Sequence, residues 1–90
     1  MKKIKFNELG EYISKKASEY FNRWYSPLID DYLDDVKMEF DHEEEPKIYW
    51  YKYWIELTEV GKIPLIIEWY TKKTELENEN IKIEYYREED

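Results

Sequence analysis

The first third of the chain carries apolar residues at helical spacing. Asn7 is a good N-cap residue and stands just before the first of them. The intervening positions are mostly polar or charged, as expected of a helix with one buried face. We therefore predict an amphipathic helix over about residues 7–25, with an apolar stripe formed by Leu9, Tyr12, Ile13, Ala17, Tyr20, Phe21 and Trp24.

The next segment, SPLIDDYLDD, restarts the helical pattern. Ser26 suits an N-cap, and Pro27 suits the first position of a helix because its missing N–H would have no partner there. Leu28, Ile29, Tyr32 and Leu33 then supply an apolar stripe. This pattern predicts a second, short helix over about residues 27–35.

From residue 36 onward the apolar period changes from helical spacing to two. Alternating segments are separated by EEEP, EVGK and ENEN, which are typical of turns. Short connections between successive strands favour an antiparallel meander. We predict a single α+β domain over residues 1–90, with one or two N-terminal helices packed on one face of a four-stranded antiparallel β-meander, whose strands span about residues 36–42, 47–58, 63–74 and 81–87.

The stretch IYWYKYWI (48–55) would place aromatic rings on both faces of its strand. A loop at 43–46 pairs Phe40 with Tyr49, which puts the odd-numbered residues of this strand on the core face. The tryptophans then lie on the opposite face. Two interpretations remain open: cross-strand pairing of Trp50 with Lys72 and of Lys52 with Tyr70, or a partner-binding or dimer face made of Trp50, Trp54, Tyr70 and Tyr86.

Composition restricts the environment. The chain has no cysteine, so it has neither a disulfide framework nor a thiolate metal site, which fits a reducing cytosol. The basic opening MKKIKF is not followed by an apolar h-region, and no run is long enough to span a membrane. We expect a cytoplasmic protein, in the host cytoplasm if it is viral. Abundant Lys, Ile, Glu and Tyr with scarce Ala, Gly and Arg are typical of an AT-rich genome.

Residues typical of enzyme active sites are scarce. His42 is the single histidine, and it lies beside glutamates without the spacing of a metal site. Gly10 and Gly61 are the two glycines, so the chain has no glycine-rich phosphate loop. No serine stands beside a candidate base. We expect no catalytic residues, no metal and no cofactor, and therefore not an enzyme.

Charge is concentrated in one segment. Residues 30–45 contain nine acidic groups and one lysine, a net charge of −8 that equals the net charge of the whole chain. On a helix, Asp30 with Asp34 and Asp31 with Asp35 would form unfavourable i,i+4 like-charge pairs. The segment is either a solvated surface that maintains solubility or a partner-binding surface, in which case its contributors are Asp30, Asp31, Asp34, Asp35, Glu39, Asp41, Glu43, Glu44 and Glu45.

Closely spaced carboxylates on a folded scaffold resemble the phosphates of nucleic acid, so this segment would repel nucleic acid and attract a basic protein. In size, acidity and α+β build the chain is similar to small phage-encoded inhibitors such as anti-CRISPR and anti-restriction proteins. That resemblance implies an inhibitor that blocks a nucleic-acid-binding host defence protein. The alternatives are an immunity or antitoxin protein that neutralises a basic toxin, and a homo-oligomeric structural or assembly protein that uses its Trp/Tyr sheet face.

Overall fold

A computed structural model describes residues 1–89, which form one α-helix on one face of a five-stranded antiparallel sheet. The α+β class and the antiparallel sheet are thus confirmed. The spatial order of the strands is β1-β5-β4-β3-β2. The elements are β1 (Lys2–Ile4), α1 (Leu9–Phe21), β2 (Lys37–Glu45), β3 (Ile48–Leu57), β4 (Leu65–Glu75) and β5 (Ile81–Arg87).

Helix α1 is shorter at both ends than the predicted helix over residues 7–25. A 3₁₀ turn, Phe6–Glu8, precedes it, and Asn7 lies within that turn rather than at an N-cap. At the other end Asn22 adopts a left-handed conformation with φ 55°. A left-handed residue ends a helix because it turns the backbone away from the helical path.

The apolar stripe of α1 is confirmed in part, since Tyr20 lies within the helix but is 45% exposed. The residues Leu9, Ile13, Ala17 and Phe21 are buried, and they pack with Ile55, Ile67 and Trp69 of the sheet. Trp24 lies beyond the end of the helix, and 78% of its surface is exposed. The side chain predicted to complete the stripe is therefore outside the core.

The predicted helix over residues 27–35 is wrong. Two 3₁₀ turns, Ile29–Asp31 and Leu33–Asp35, take its place. The Ser26 hydroxyl contacts the Asp31 carboxylate and also accepts a hydrogen bond from the Leu28 N–H at 3.2 Å. Such local side-chain bonds compete with the helical backbone ladder. Crowded carboxylates at i,i+4 would further disfavour an α-helix.

The four-strand prediction is also wrong, because β1 adds a fifth strand. Lys3 pairs with Tyr86 in the register, and its ammonium lies 2.8 Å from the Glu84 carboxylate of the neighbouring strand β5. A three-residue strand with one apolar side chain has too short a pattern to be read from sequence. The free edge of β5 supplies the backbone partners that hold it.

The predicted strand boundaries hold to within three residues, and the range 81–87 is confirmed. The strand predicted over 36–42 extends to Glu45, because EEEP is not a loop: only Pro46 and Lys47 connect β2 to β3, with Lys47 at φ 74°. The strand predicted over 47–58 spans Ile48–Leu57, and the one predicted over 63–74 spans Leu65–Glu75.

The register of β2 against β3 differs from the prediction by two residues. Phe40 lies opposite Tyr51 rather than Tyr49. The next pair is His42 with Trp50, so Asp41 has no counterpart on β3 and forms a β-bulge. The bulge changes the face on which the following side chains lie.

The sheet has two distinct faces. We call the face that α1 covers the inner face; it carries the odd-numbered residues of β3, β4 and β5, together with Met38 and Phe40 of β2. The opposite, outer face carries Trp50 and its even-numbered neighbours. The prediction that the odd-numbered side of the long strand faces the helix is therefore confirmed. No helix among residues 1–89 combines the length and the apolar character needed to cross a membrane.

Candidate protein-binding surfaces

The nine acidic residues form an exposed strip that follows consecutive elements of the chain. We name this strip, Asp30, Asp31, Asp34, Asp35, Glu39, Asp41, Glu43, Glu44 and Glu45, the acidic edge. It follows the two 3₁₀ turns and then β2, which is the last strand of the sheet and pairs on one side with β3. Every one of the nine side chains is exposed.

Few cations neutralise the acidic edge. Within residues 1–89, Glu44 is the single member that forms an ion pair with a lysine, Lys72, at 3.5 Å. The Asp41 carboxylate contacts the His42 imidazole, and Asp31 contacts the Ser26 hydroxyl. The remaining carboxylates meet solvent, so a cationic partner would find them without breaking existing ion pairs.

The predicted helical row of carboxylates does not exist. Since residues 29–35 form 3₁₀ turns, Asp30 and Asp34, and likewise Asp31 and Asp35, are not stacked one helical turn apart. The nine carboxylates lie on the two 3₁₀ turns and on β2, where Glu39 lies on the outer face and Glu43 on the inner face.

The side chains of the predicted Trp/Tyr face mainly contact other residues of the same chain. Trp50 is 8% exposed; its indole stacks on His42 with ring centroids 6.0 Å apart and contacts Tyr86 at 5.1 Å. The Lys72 ammonium lies 5.8 Å from the Trp50 ring. The register confirms the predicted pairs Trp50 with Lys72 and Lys52 with Tyr70. Trp54, Tyr70 and Tyr86 are half-buried.

Ion pairs extend across the same outer face. Lys52 lies 3.4 Å from Glu68, and the hydrogen bond to that carboxylate raises the pKa of Lys52. The hydrogen bond from Lys3 lowers the pKa of Glu84, which also lies 3.8 Å from Lys82. Burial raises the pKa of Tyr70. The pairs of Lys52 with Glu68 and of Lys3 with Glu84 join neighbouring strands, and they account for charged residues on this face without a partner.

The inner face contains a second surface that sequence reasoning missed. An open groove of about 530 Å³ lies beyond the N-terminal end of α1. Lys73 is the one charged side chain among its lining residues, which are otherwise apolar, aromatic or Thr71. We name this surface the apolar groove and define it by Phe6, Leu33, Met38, Tyr51, Ile81 and Ile83.

The apolar groove exists because the sheet is longer than the helix that covers it. Strand β3 has 10 residues and would extend ~33 Å, whereas the 13 residues of α1 extend ~20 Å. Under the helix Ile55 and Ile67 are fully buried, but beyond it Phe40 is 56% exposed and Ile83 52% exposed. The sequence signal was available: more inward-facing apolar residues than one short helix can cover.

Comparisons with protein-family models, with curated proteins and with solved structures find no match. Among residues 1–89, no three His, Asp or Glu side chains are grouped so that they could hold a metal ion. The acidic edge and the apolar groove adjoin each other along β2, where Met38 of the groove precedes Glu39 of the acidic edge.

Proposed function

We propose that this protein binds a basic protein and blocks that protein's nucleic-acid-binding surface, with carboxylates standing in for phosphates. The observation that carries the proposal is the acidic edge: nine exposed carboxylates on consecutive elements, with one lysine ion pair among them. A Lys- or Arg-lined channel that releases counterions on binding nucleic acid would gain in the same way from binding this edge.

The position of the acidic edge supports a protein partner. Strand β2 is an edge strand, so its exposed carboxylates lie at a border of the sheet that another molecule can reach. Two bulges, after Phe40 and after Glu43, interrupt its pairing with β3. Charge and bulges both prevent an edge strand from pairing with other strands, which leaves side-chain electrostatics as its means of recognition.

The homo-oligomer alternative loses its main support. Trp50, one of the two tryptophans proposed for a dimer face, is buried against His42 and Tyr86 within the same chain, and Trp54 is half-buried. The immunity or antitoxin alternative uses the same acidic edge, and differs in the identity of the basic partner.

The test is affinity capture with matched variants. The edge variant carries Asp34→Asn, Asp35→Asn, Glu43→Gln and Glu45→Gln. The control carries Glu11→Gln, Glu19→Gln, Glu88→Gln and Glu89→Gln, which remove the same charge from exposed positions elsewhere. Wild-type protein and both variants are immobilised, exposed to lysate of the host cell, and eluted with duplex DNA or with sodium chloride of equal ionic strength.

We expect wild-type and control columns to retain nucleic-acid-binding proteins that duplex DNA elutes more effectively than salt does, and the edge variant to lose them. Retention of the same proteins by the edge variant would refute the proposal. So would a captured partner that DNA does not displace, because phosphates and carboxylates would then not share a site.

A further inference from the structure

We infer that the apolar groove binds an amphipathic helix of the basic partner, with the helix's apolar side on the sheet and its lysine or arginine side chains against the acidic edge. This inference deepens the proposed function and rests on it for the charge of the partner. It adds a second contact surface and a chemical description of what that surface binds.

The exposure of the apolar groove requires an explanation. Met38, Ile81 and Ile83 line the groove and are each more than half exposed, and the groove residues Leu33 and Phe6 are exposed as well. Phe40 is 56% exposed on the same face, and its ring contacts that of Tyr51 in the groove. Contiguous apolar surface of this kind marks binding sites in soluble proteins, because its exposure to water is unfavourable.

A helix is the occupant that fits this surface. On the covered half of the same face, α1 lays an apolar stripe of Leu9, Ile13, Ala17 and Phe21 on the sheet. The uncovered half continues the same strands with the same kind of side chains, but no second helix among residues 1–89 reaches it, since residues 29–35 form 3₁₀ turns. A helix from another molecule would complete the layer. Recognition of an amphipathic helix by an apolar groove is a common mode of binding.

Charge complementarity specifies the chemistry of that helix. Asp34 and Asp35 stand between Leu33 and Val36, which line the apolar groove. Glu43 lies on the inner face opposite Tyr49, and Glu75 lies on the same face of β4 opposite Ile81. Both lie outside the lining of the groove, whose one charged residue is Lys73. Carboxylates therefore flank an apolar centre on more than one side. A helix with flanking lysines or arginines satisfies both parts of this surface.

The same charges disfavour a second copy of this chain as occupant. The chain carries a net charge of −8, and two copies joined at the apolar groove would bring two acidic edges together. Like-charge contact across an interface suppresses association.

The first experiment uses defined peptides. One peptide of about 15 residues, four helical turns, carries leucines at i, i+3, i+4 and i+7 spacing with lysines on both flanks. The comparison peptide keeps the leucines and replaces the lysines with glutamates, and a third scrambles the lysine peptide. Fluorescence anisotropy measures their affinity for the whole protein. We expect the lysine peptide to bind at least tenfold more tightly than either other peptide; equal binding of the three would overturn the inference.

The second experiment locates the bound peptide. Ile83→Ser removes an apolar side chain from the apolar groove, and Ile66→Ser is its matched control, because both isoleucines are in strands and are similarly exposed, 52% and 55%, on opposite faces. We expect at least tenfold weaker peptide binding for Ile83→Ser and less than twofold change for Ile66→Ser. Equal effects of the two substitutions would overturn the inference.

Methyl NMR of the wild-type protein provides the same answer without a substitution. Addition of the lysine peptide should shift the resonances of Met38, Ile81 and Ile83 and leave those of Ile63 and Ile66 in place. The opposite pattern of shifts contradicts the inference. Two further results would also contradict it: a concentration-dependent dimer that Ile83→Ser dissociates, and tighter binding of oleate than of the peptide to the apolar groove.

The two proposals can fail separately. Host proteins that are lost by the edge variant but retained by Ile83→Ser leave the proposed function standing and overturn the helix-binding inference. Host proteins that both the edge variant and Ile83→Ser retain refute the proposed function.

Discussion

Gly10 of α1 approaches Pro27 so closely that a Cβ atom on Gly10 would lie 2.2 Å from the Pro27 carbonyl oxygen and 2.4 Å from the Ile29 nitrogen. Only a residue without a side chain allows the backbone of residues 27–29 to cross the first turn of the helix at this distance. The contact anchors the chain segment that leads into the 3₁₀ turns and the acidic edge.

Gly10→Ala tests this contact, because helix propensity and the close contact predict opposite changes in the free energy of unfolding. Helix propensity alone would make alanine more stabilising than glycine by about 1 kcal/mol. Because the added methyl group meets backbone atoms, we expect instead a loss of about 1–3 kcal/mol in the free energy of unfolding, measured by urea denaturation. Glu11→Ala, at the next and exposed position, is the control and should change stability by less than about 0.5 kcal/mol. A stabilised Gly10→Ala variant would disprove the close contact.

The tryptophans should differ in their contribution to stability. Trp50→Ala removes a buried indole and its contacts with His42 and Tyr86, so we expect a loss of about 2–4 kcal/mol. Trp24→Ala makes the same chemical change at a side chain that is 78% exposed, and should cost less than about 0.5 kcal/mol. Thermal and urea unfolding measure both. Similar losses at the two positions would contradict the outer-face packing described above.

The Lys3–Glu84 ion pair should make stability depend on pH. The pKa of Glu84 is lowered by the hydrogen bond from Lys3, so the folded state favours the carboxylate. This contribution is present above the ordinary pKa of 4.5 and is lost as the pH falls through the lower folded-state pKa. Glu84→Gln should therefore be less stable than wild type at pH 7, and the difference should shrink in acid below the folded-state pKa.

Urea unfolding at neutral and acid pH measures that difference. Glu56→Gln is the control, since Glu56 is exposed on the same face of the sheet and forms no ion pair within residues 1–89. If the difference in stability between wild type and Glu84→Gln were the same at neutral and acid pH, the charge of Glu84 would not be what stabilises the pairing of β1 with β5.

Neutralising the second 3₁₀ turn should not weaken the fold. Asp34→Asn with Asp35→Asn removes two exposed charges from a crowded acidic segment, so stability at low salt should hold or rise by a few tenths of a kcal/mol. The gain should diminish at high salt because screening already weakens the repulsion. Asp31→Ala should behave differently and lose stability, since it removes the partner of the Ser26 hydroxyl. Destabilisation by the Asn pair would show that these carboxylates have a structural role.

Much of the sheet could be predicted because period-two patterns are long in this chain. Strands of 9 to 11 residues give repeated evidence of which side faces inward, and this fixed the faces of Trp50 and Lys72 correctly. The stripe from Leu9 to Phe21 did the same for α1. In each case several side chains supported the same assignment.

The failures have a different origin. Residues 27–35 have a helical pattern but do not form a helix. The hydrogen bonds of the Ser26 side chain are local and the close approach to Gly10 is tertiary, and the spacing of apolar residues contains information on neither. Strand β1 is too short to have a period. Prediction of the apolar groove would have required a comparison of the length of the helix with the length of the strands, since neither pattern alone indicates it.

The bulge at Asp41 adds one residue to β2 that has no counterpart on β3. Phe40 and His42 are two positions apart, yet one lies beside the groove and the other against Trp50 on the opposite side. Deletion of Asp41 would remove the bulge and leave His42 and Glu43 on their present sides, because the pairs of Phe40 with Tyr51, His42 with Trp50 and Glu43 with Tyr49 already follow one another on β3. Strand β2 can therefore lose or regain one acidic residue in frame while both faces of the sheet keep the side chains that they present.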